Sequence, residues 1–236
     1  LLDNQKALMI FPEGSHDKRR TVRSLSKGFS RIVFGAIERN PKLQIQIIPV
    51  GITYQDSSSY PFKVSLNYGT PILANDFYKS NLNHSDIKEI KDVISDQLKT
   101  LSVHIPLTEE YGKLIEKLSS ANIDFTKVDE VNSMIQSNII IKRERGINLV
   151  KFLKPIVILN SFIPWLFWKY VKNKVTDFEF ISTFKFGVGS LTVIPFFLMN
   201  SYIIYNLFTL KSSIIYFSCS ILILLIYSKF HSTPAR

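Results

Sequence analysis

The sequence predicts an α/β domain with a mixed, largely parallel sheet flanked by helices, followed by a C-terminal α-helical membrane region. Two observations support this fold class. Between residues 6 and 103, short apolar runs of strand length alternate with segments whose apolar residues recur at helical spacing. Residues 188–210 then form a run of 23 residues without a charge, which is enough to cross a membrane as a helix. We place the α/β domain in residues 1–150 and the membrane region in residues 151–236.

The charged residues support the same division. Residues 1–154 contain 22 Lys and Arg against 17 Asp and Glu, whereas residues 155–236 contain 7 against 2. The first part is therefore composed like a water-soluble domain, and the second is mostly apolar and aromatic.

The first predicted elements surround a long loop. The apolar run "KALMIF" (residues 6–11) predicts a buried strand, because Pro12 and Gly14 end it. Residues 12–27 show no periodicity and are expected to form a loop. A helix should follow, since apolar residues recur at i, i+3, i+4, i+7 and i+8 before Asn40 and Pro41 end the pattern: Phe29, Ile32, Val33, Ala36 and Ile37.

The remaining elements of this domain are two strands and three helices. The segment 43–54 alternates and then becomes continuously apolar, and 62–69 alternates strictly, so both are predicted to be strands, the second with one polar face. Amphipathic spacing predicts a helix over 85–103. Further helices are expected at about 108–121 and 128–141.

Three apolar segments make up the membrane region. Residues 156–171 are interrupted by Pro164 and flanked by lysines, which favours an interfacial or re-entrant helix. Residues 188–210 and about 212–228 are expected to form a transmembrane hairpin. The lysines between 169 and 185 would then lie on the cytoplasmic side, with Lys211 facing outward. A buried hairpin of a larger soluble fold is the alternative.

Composition excludes several classes of protein. A single cysteine, Cys219, rules out an internal disulfide framework, and its apolar surroundings predict a buried thiol. Four scattered histidines do not form a metal site, so no metal is expected. The net charge is +10, but the cations lie beside membrane segments without a set of aromatic side chains for base stacking, so nucleic acid is not an expected partner.

The loop "FPEGSHDKRR" and its continuation hold the strongest chemical signal. The carboxylate Glu13 is followed closely by four cations: Lys18, Arg19, Arg20 and Arg23. A cationic loop that leads into a helix can hold a phosphate or contact anionic lipid headgroups. A solvated loop with scattered charges is the alternative that composition alone would favour.

The order of motifs around this loop resembles that of the glycerolipid acyltransferases, the superfamily of glycerol-3-phosphate and 1-acylglycerol-3-phosphate acyltransferases. Phe11-Pro12-Glu13-Gly14 looks like the third conserved block of that family, and Ser15-His16-Asp17 continues it as in one of its branches. Lys27-Gly28 is similar to a motif that opens the next helix, and Ile48-Pro49-Val50 looks like the fourth block. The resemblance is strong over residues 5–72 and weak over 73–150.

The resemblance implies an acceptor site for a glycerol-phosphate group and an acyl-donor side. The acceptor site would comprise the third block and nearby residues: Phe11, Pro12, Glu13, Gly14, Ser15, His16, Arg19, Arg20 and Lys27. In this family's pattern, Glu13 would bind glycerol hydroxyls or orient a neighbouring arginine, because a carboxylate repels phosphate. The donor side would include Ile48, Pro49 and Val50. The co-substrate would be acyl-CoA or acyl carrier protein, and no cofactor is expected.

The family's catalytic His-x-x-x-x-Asp pair is not found in this sequence. Five residues after the four histidines stand Thr21, Glu89, Glu109 and Arg236, and the two that are followed by glutamate, His84 and His104, come after the third block instead of before it. We therefore expect the catalytic base upstream of Leu1, no catalytic residue in this chain, and surface or helix-cap roles for His84 and His104.

The expected function is transfer of a fatty acyl group from a thioester to the hydroxyl of glycerol 3-phosphate or a lysophospholipid, by a membrane-bound enzyme whose catalytic domain is cytoplasmic. The alternative is a non-catalytic, membrane-anchored module that binds anionic lipid or a protein partner.

Overall fold

The computed structural model describes residues 1–15, 17–57, 60, 62–79, 84–142, 149–177 and 180–230. The α-helices are α1 (Gly28–Arg39), α2 (His84–Leu101), α3 (Tyr111–Ser120), α4 (Val128–Ser137), α5 (Leu153–Asn160), α6 (Phe162–Lys172), α7 (Ile181–Leu207) and α8 (Leu210–Phe230). The strands are β1 (Gln46–Ile47), β2 (Val50–Tyr54), β3 (Val64–Tyr68) and β4 (Ile72–Leu73). Two compact units result: Leu1–Tyr54 with Val64–Lys142, and Gln55–Lys63 with Arg143–Arg236.

The core of the first unit forms between α1 and α2. On α1 the buried residues follow the predicted helical spacing, although Ile32 is exposed. From α2, Ile87, Ile90 and Ile94 pack against them, and the short β1 and β4 strands close one side of the same cluster. A second group of fully or nearly fully buried residues lies around α3 and α4: Leu118, Ile123, Phe125 and Val131. The helices predicted over 85–103 and 108–121 are therefore present with slightly shorter bounds.

The largely parallel sheet predicted from the sequence is not found among the described strands. Two separate two-stranded sheets form instead, and both are antiparallel: β1 pairs with β4, and β2 pairs with β3. The β2–β3 connection is only residues 55–63, and a connection this short favours a hairpin, because a parallel pair needs a crossover of about a dozen residues or more.

Residues 6–11, predicted to be a buried strand, are not a strand in this structure. None of the described strands pairs with them, and Met9 and Phe11 are 82% and 72% exposed. An apolar run can form a strand only when a neighbouring strand satisfies its backbone groups, and no described segment offers that partner.

The β2–β3 hairpin packs against α2 through its small and polar side chains. Thr53 and Asn67 lie on the face toward the end of α2, where the Thr53 hydroxyl accepts a hydrogen bond from the Val103 amide (3.3 Å). The opposite face of the hairpin presents exposed apolar side chains: Ile52, Tyr54, Val64, Leu66 and Tyr68. The two faces predicted by the alternation of 62–69 are present, but the polar face is the covered one.

Glycine at position 51 is required by the closeness of this packing. A Cβ atom added to Gly51 would lie 2.2 Å from the Leu101 carbonyl oxygen, a backbone atom that cannot rotate away. The Asn67 side-chain amide donates to the same oxygen (2.8 Å). The last turn of α2 is therefore fixed directly on β2.

The second unit contains α5–α8. The segment predicted over 156–171 is divided into α5 and α6 at Ser161, and Pro164 lies in the first turn of α6, where its missing N–H group costs nothing. The predicted hairpin corresponds to α7 and α8, and both helices are long and apolar enough to cross a membrane. In the most apolar stretch of each helix only 11% of the residues are buried, so neither helix resembles the buried core helix of a soluble fold.

Polar side chains within this unit bond to one another. The Tyr216 hydroxyl donates to Asn160 (2.9 Å) and accepts from the Asn200 amide (3.1 Å), which joins α5, α7 and α8. Such bonds hold apolar helices together where no water is available to satisfy polar groups. Cys219, expected to be buried, is exposed on α8.

We predict that Gly51→Ala destabilises the chain by about 1–3 kcal/mol, because the added methyl group overlaps the Leu101 carbonyl. Chemical unfolding of the whole chain in detergent micelles would measure this change. Gly112→Ala is the matched control: it lies in α3 with no atom within 4 Å of the added Cβ, and it should be neutral or slightly stabilising. A Gly51→Ala protein as stable as the unmodified chain would contradict the close packing of α2 on β2.

Candidate functional site

An ion pair between Glu13 and Arg23 organises the cationic loop. The Arg23 Nε donates to Glu13 Oε2 (3.1 Å), and the Arg23 amide donates to Oε1 (3.3 Å). The guanidinium also donates to the Ser15 hydroxyl (2.7 Å) and to the Ser15 carbonyl. The side chains of Arg23 and Glu13 are only 20% and 33% exposed. Positive φ at Gly14 (+73°) turns the chain between Glu13 and Ser15, so both can reach the same guanidinium.

The loop is closed on itself and held by a second segment of the chain. The Ser26 amide donates to the Pro12 carbonyl (2.7 Å), which brings the two ends of the loop together. The Ile105 amide donates to the Arg20 carbonyl (2.7 Å), and the Thr21 hydroxyl donates back to the Ile105 carbonyl. The cationic loop is therefore fixed in place by backbone contacts as well as by its charges.

Arg20 packs against the core of the first unit. Its guanidinium lies 3.7 Å from the centre of the Phe125 ring, which is fully buried, and donates to the Tyr54 carbonyl (2.7 Å). Its backbone amide donates to the Tyr111 hydroxyl (2.8 Å). A cation stacked on an aromatic ring contributes about 0.5–2 kcal/mol, so Arg20 joins the loop to the core around α3 and α4.

Arg19 forms a local, exposed pair with Asp17. Its guanidinium donates to both carboxylate oxygens, with the shortest bond at 2.5 Å. These hydrogen bonds lower the pKa of Asp17 to about 2, so the carboxylate stays charged throughout the physiological range. Asp17 therefore offsets part of the positive charge that the sequence suggested for this end of the loop.

The other predicted acceptor residues are spread along the loop. Phe11 is exposed, Pro12 and Gly14 form the turn, and His16 lies outside the described residues. Lys27 precedes α1 and lines a shallow cleft with Ile87, Lys88, Lys91 and Asp92 of α2. The structure thus brings Glu13, Ser15 and Arg23 together, whereas Lys27 contributes to a different depression of the surface.

The predicted donor-side residues lie between β1 and β2. Ile48 is exposed, Pro49 is buried and accepts a hydrogen bond from the Gly69 amide (2.8 Å), and Val50 begins β2 opposite Tyr68. The contacts described for Pro49 and Val50 are those of backbone hydrogen bonding and strand pairing.

His104 has the contacts of a structural residue. Its Nδ1 accepts a hydrogen bond from the Val22 amide (3.1 Å), and its own amide donates to the Asn132 side chain (3.1 Å). The side chains of the other three histidines lie outside the described residues. Burial lowers the pKa of His104, and Lys99 adds to the effect, so the neutral ring is favoured in the folded chain.

Sequence reasoning overlooked the particular role of Arg23. It was one of five cations in the loop, and its ten-residue separation from Glu13 follows no periodicity. No group of three or more His, Cys, Asp or Glu side chains that could hold a metal was found within the described ranges.

We predict that the free energy of unfolding falls as pH decreases from 7 to 5, in part because His104 must take up a proton. Because the pKa of His104 is lower in the folded chain than in the unfolded chain, the unfolded chain takes up the proton first as pH falls below the ordinary value of 6.5. The contribution of neutral His104 to the free energy of unfolding is therefore complete above this pH and is lost below it. Unfolding of the whole chain at several pH values should show a weaker pH dependence for His104→Gln. Equal slopes for the two proteins would show that His104 does not contribute.

The comparison with known proteins gives two partial similarities. Neither a protein-family model nor a solved structure matches the chain. Glycerol-3-phosphate O-acyltransferase 1 of Saccharomyces cerevisiae is 25% identical over 107 residues, which make up 43% of this chain and 14% of that protein. Glycerol-3-phosphate O-acyltransferase 2 of the same organism is 25% identical over 88 residues, or 36% of this chain and 12% of that protein. The chain therefore corresponds to a small part of each relative, and the similarity supports a distant relationship to lipid acyltransferases.

Proposed function

We propose that this chain is part of a membrane-bound acyltransferase of phospholipid synthesis. The enzyme would transfer a fatty acyl group from acyl-CoA or acyl carrier protein to the hydroxyl of glycerol 3-phosphate or 1-acylglycerol 3-phosphate. The observation that carries the proposal is the Arg23 guanidinium held by Glu13 and Ser15, inside the segment that resembles the family's acceptor block. The partial similarity to two O-acyltransferases and the two long apolar helices support it.

Arg23 is well suited to bind the phosphate of the acceptor. A guanidinium has five N–H groups, and the described contacts of the side chain use one at Nε and one at each terminal nitrogen. One N–H group on each terminal nitrogen is left to form a two-pronged contact with phosphate oxygens. Glu13 then acts as a positioning residue, because it fixes the plane of the guanidinium without facing the anion.

Lys27, which lines the cleft before α1, would supply longer-range attraction for a doubly charged phosphate. Arg19 would add little net charge, because it is paired with Asp17. Arg20 would act indirectly, by keeping the loop on the core through Phe125.

The proposed reaction requires a base that takes the proton from the acceptor hydroxyl. The hydroxyl oxygen then attacks the thioester carbonyl, a carbon–oxygen bond forms, and the carbon–sulfur bond breaks to release the thiol, which takes up the proton. His104 is poorly suited to this task, because its Nδ1 accepts the Val22 amide where a catalytic pair would have an aspartate. We therefore propose that the base belongs to sequence outside this chain. The positions of the lysines between 169 and 185 support the further proposal that the catalytic domain faces the cytoplasm.

We predict that Glu13→Gln in the complete enzyme raises the KM for the acceptor and lowers kcat/KM for it by about 10- to 100-fold. Loss of a charge-assisted hydrogen bond costs about 1.5–3 kcal/mol, which corresponds to this range. The KM for the acyl donor should not change. Steady-state kinetics with each substrate varied in turn would measure both constants.

Two further variants test whether Glu13 acts through Arg23. Arg23→Lys should show the same acceptor defect, and the double variant should be no worse than the more severe single variant, because the two residues form one unit. Glu38→Gln, an exposed carboxylate on α1, is the matched control and should behave as the unmodified enzyme. A Glu13→Gln enzyme with unchanged acceptor constants, or with equal losses for donor and acceptor, would contradict the assignment.

The proposed function as a whole is tested by acyl transfer from labelled palmitoyl-CoA and palmitoyl-carrier protein to glycerol 3-phosphate or lysophosphatidate. The complete reading frame should be active and this 236-residue chain inactive. Activity of the short chain would show that the base lies within it. Inactivity of both would favour the alternative, a membrane-anchored module without catalytic function.

A further inference from the structure

An apolar groove lies between α6 and α7 in the second unit. Its lining includes Pro164 and Phe167 from α6, and Pro195, Phe196 and Met199 from α7. Thr192 also borders it, but its hydroxyl donates to the Val188 carbonyl (2.6 Å) and is therefore satisfied within its own helix. The groove consequently offers van der Waals contact and no polar recognition, which suits a hydrocarbon chain.

Three lysines of this unit lie near helix ends. Lys172 ends α6 and Lys185 is in the first turns of α7, so the short connection between the two helices puts both at the same end of this pair, and Lys154 lies at the beginning of α5. Lys185 is half-buried, donates to the Tyr60 carbonyl, and is acted on by the charges of Lys172 and Lys154. Within the described residues, none of the three forms an ion pair with a carboxylate.

Two neighbouring lysines, Lys169 in α6 and Lys174 just after it, differ from these three in their contacts. Lys169 lies over the Trp165 ring at 3.9 Å, and Lys174 lies over the Tyr170 ring at 4.4 Å. Their charges are stabilised by aromatic faces. Lys172 and Lys154 instead act on Lys185 with charge of the same sign, and an anion placed beside Lys185 would relieve that repulsion.

The groove, Lys172 and Lys185 lie along the same pair of helices. From Phe167 to Lys172 is five residues, and from Thr192 back to Lys185 is seven, so each lysine lies about 8–11 Å along its helix from the groove. A lysine side chain shortens this gap further, because its ammonium extends well beyond the backbone. The separation suits a glycerol backbone that links an acyl chain to a phosphate.

We propose that the second unit binds a phospholipid whose headgroup is a phosphate monoester, with an acyl chain in the groove and the phosphate at Lys154, Lys172 and Lys185. A phosphate monoester carries more negative charge than the diester of an ordinary phospholipid, about −1.5 to −2 at neutral pH, and three cations match it better. Its small headgroup also suits a site in which Lys185 is half-buried. The proposal rests on the second unit alone and does not depend on the acyl transfer proposed above.

The test uses the whole chain in phosphatidylcholine nanodiscs with a phosphatidate probe that carries a photoreactive group in its acyl chain. We expect labelled peptides from α6 and α7, and competition by unlabelled phosphatidate. Lys172→Gln and Lys185→Gln should each reduce labelling about fivefold, the effect of one cation near anionic lipid. Thr192→Trp, which fills the groove beside its lysine end, should reduce labelling while leaving the charges unchanged.

Lys211→Gln is the matched control, because Lys211 begins α8 beyond the far end of α7 from the three lysines, and it should label normally. Circular dichroism would verify the helix content of each variant. If the Lys185→Gln variant fails to fold, the Lys172→Gln variant provides the test, because Lys172 is exposed and its replacement should not affect folding.

Three results would overturn the proposal. Equal competition by phosphatidylglycerol at the same mole fraction would show only general attraction to an anionic surface. Displacement of the probe by inorganic phosphate at similar concentration would indicate a site for the free anion. Unchanged labelling of the Lys172→Gln variant would show that the lysines do not hold the headgroup.

Discussion

The contact between the last turn of α2 and strand β2 is the constraint on which the arrangement of the first unit depends. The Leu101 carbonyl lies where any side chain at position 51 would be, and Asn67 bonds to the same oxygen. The segment from 103 to 105 leaves α2 directly after this contact and bonds to the cationic loop. The position of the loop, and with it that of Arg23, is thus set by a glycine in a strand that carries no chemistry of its own.

The arginines of the loop show that similar charges in one segment can have different tasks. Arg19 bonds to a carboxylate two residues away, Arg20 is stacked on a buried ring, and Arg23 is held by Glu13 and Ser15. A count of positive charges would treat them as equivalent. Their partners distinguish them: the guanidinium of Arg23 is held by two loop residues, and its described contacts leave one N–H group on each terminal nitrogen for a ligand.

Periodicity predicted the helices well but not the pairing of the strands. The apolar spacing of α1 and the long charge-free runs of the two C-terminal helices were visible in the sequence, because both are properties of local residue order. Pairing direction depends on neighbours that local order does not reveal, and the expected mixed, largely parallel sheet and the expected strand at 6–11 are not found among the described residues. The Glu13–Arg23 pair was only half predictable: the resemblance gave orientation of a neighbouring arginine as one of two roles for Glu13, but which arginine it contacts depends on the path of an aperiodic loop.

The outward face of the β2–β3 hairpin has a practical consequence for handling the chain. Five apolar side chains lie together there, and Tyr68 is 70% exposed. A contiguous apolar surface on a short, open sheet is a site of self-association in water, quite apart from the insolubility of the two apolar helices. Removal of α7 and α8 would therefore not be enough to make the remaining chain behave as a well-dispersed monomer.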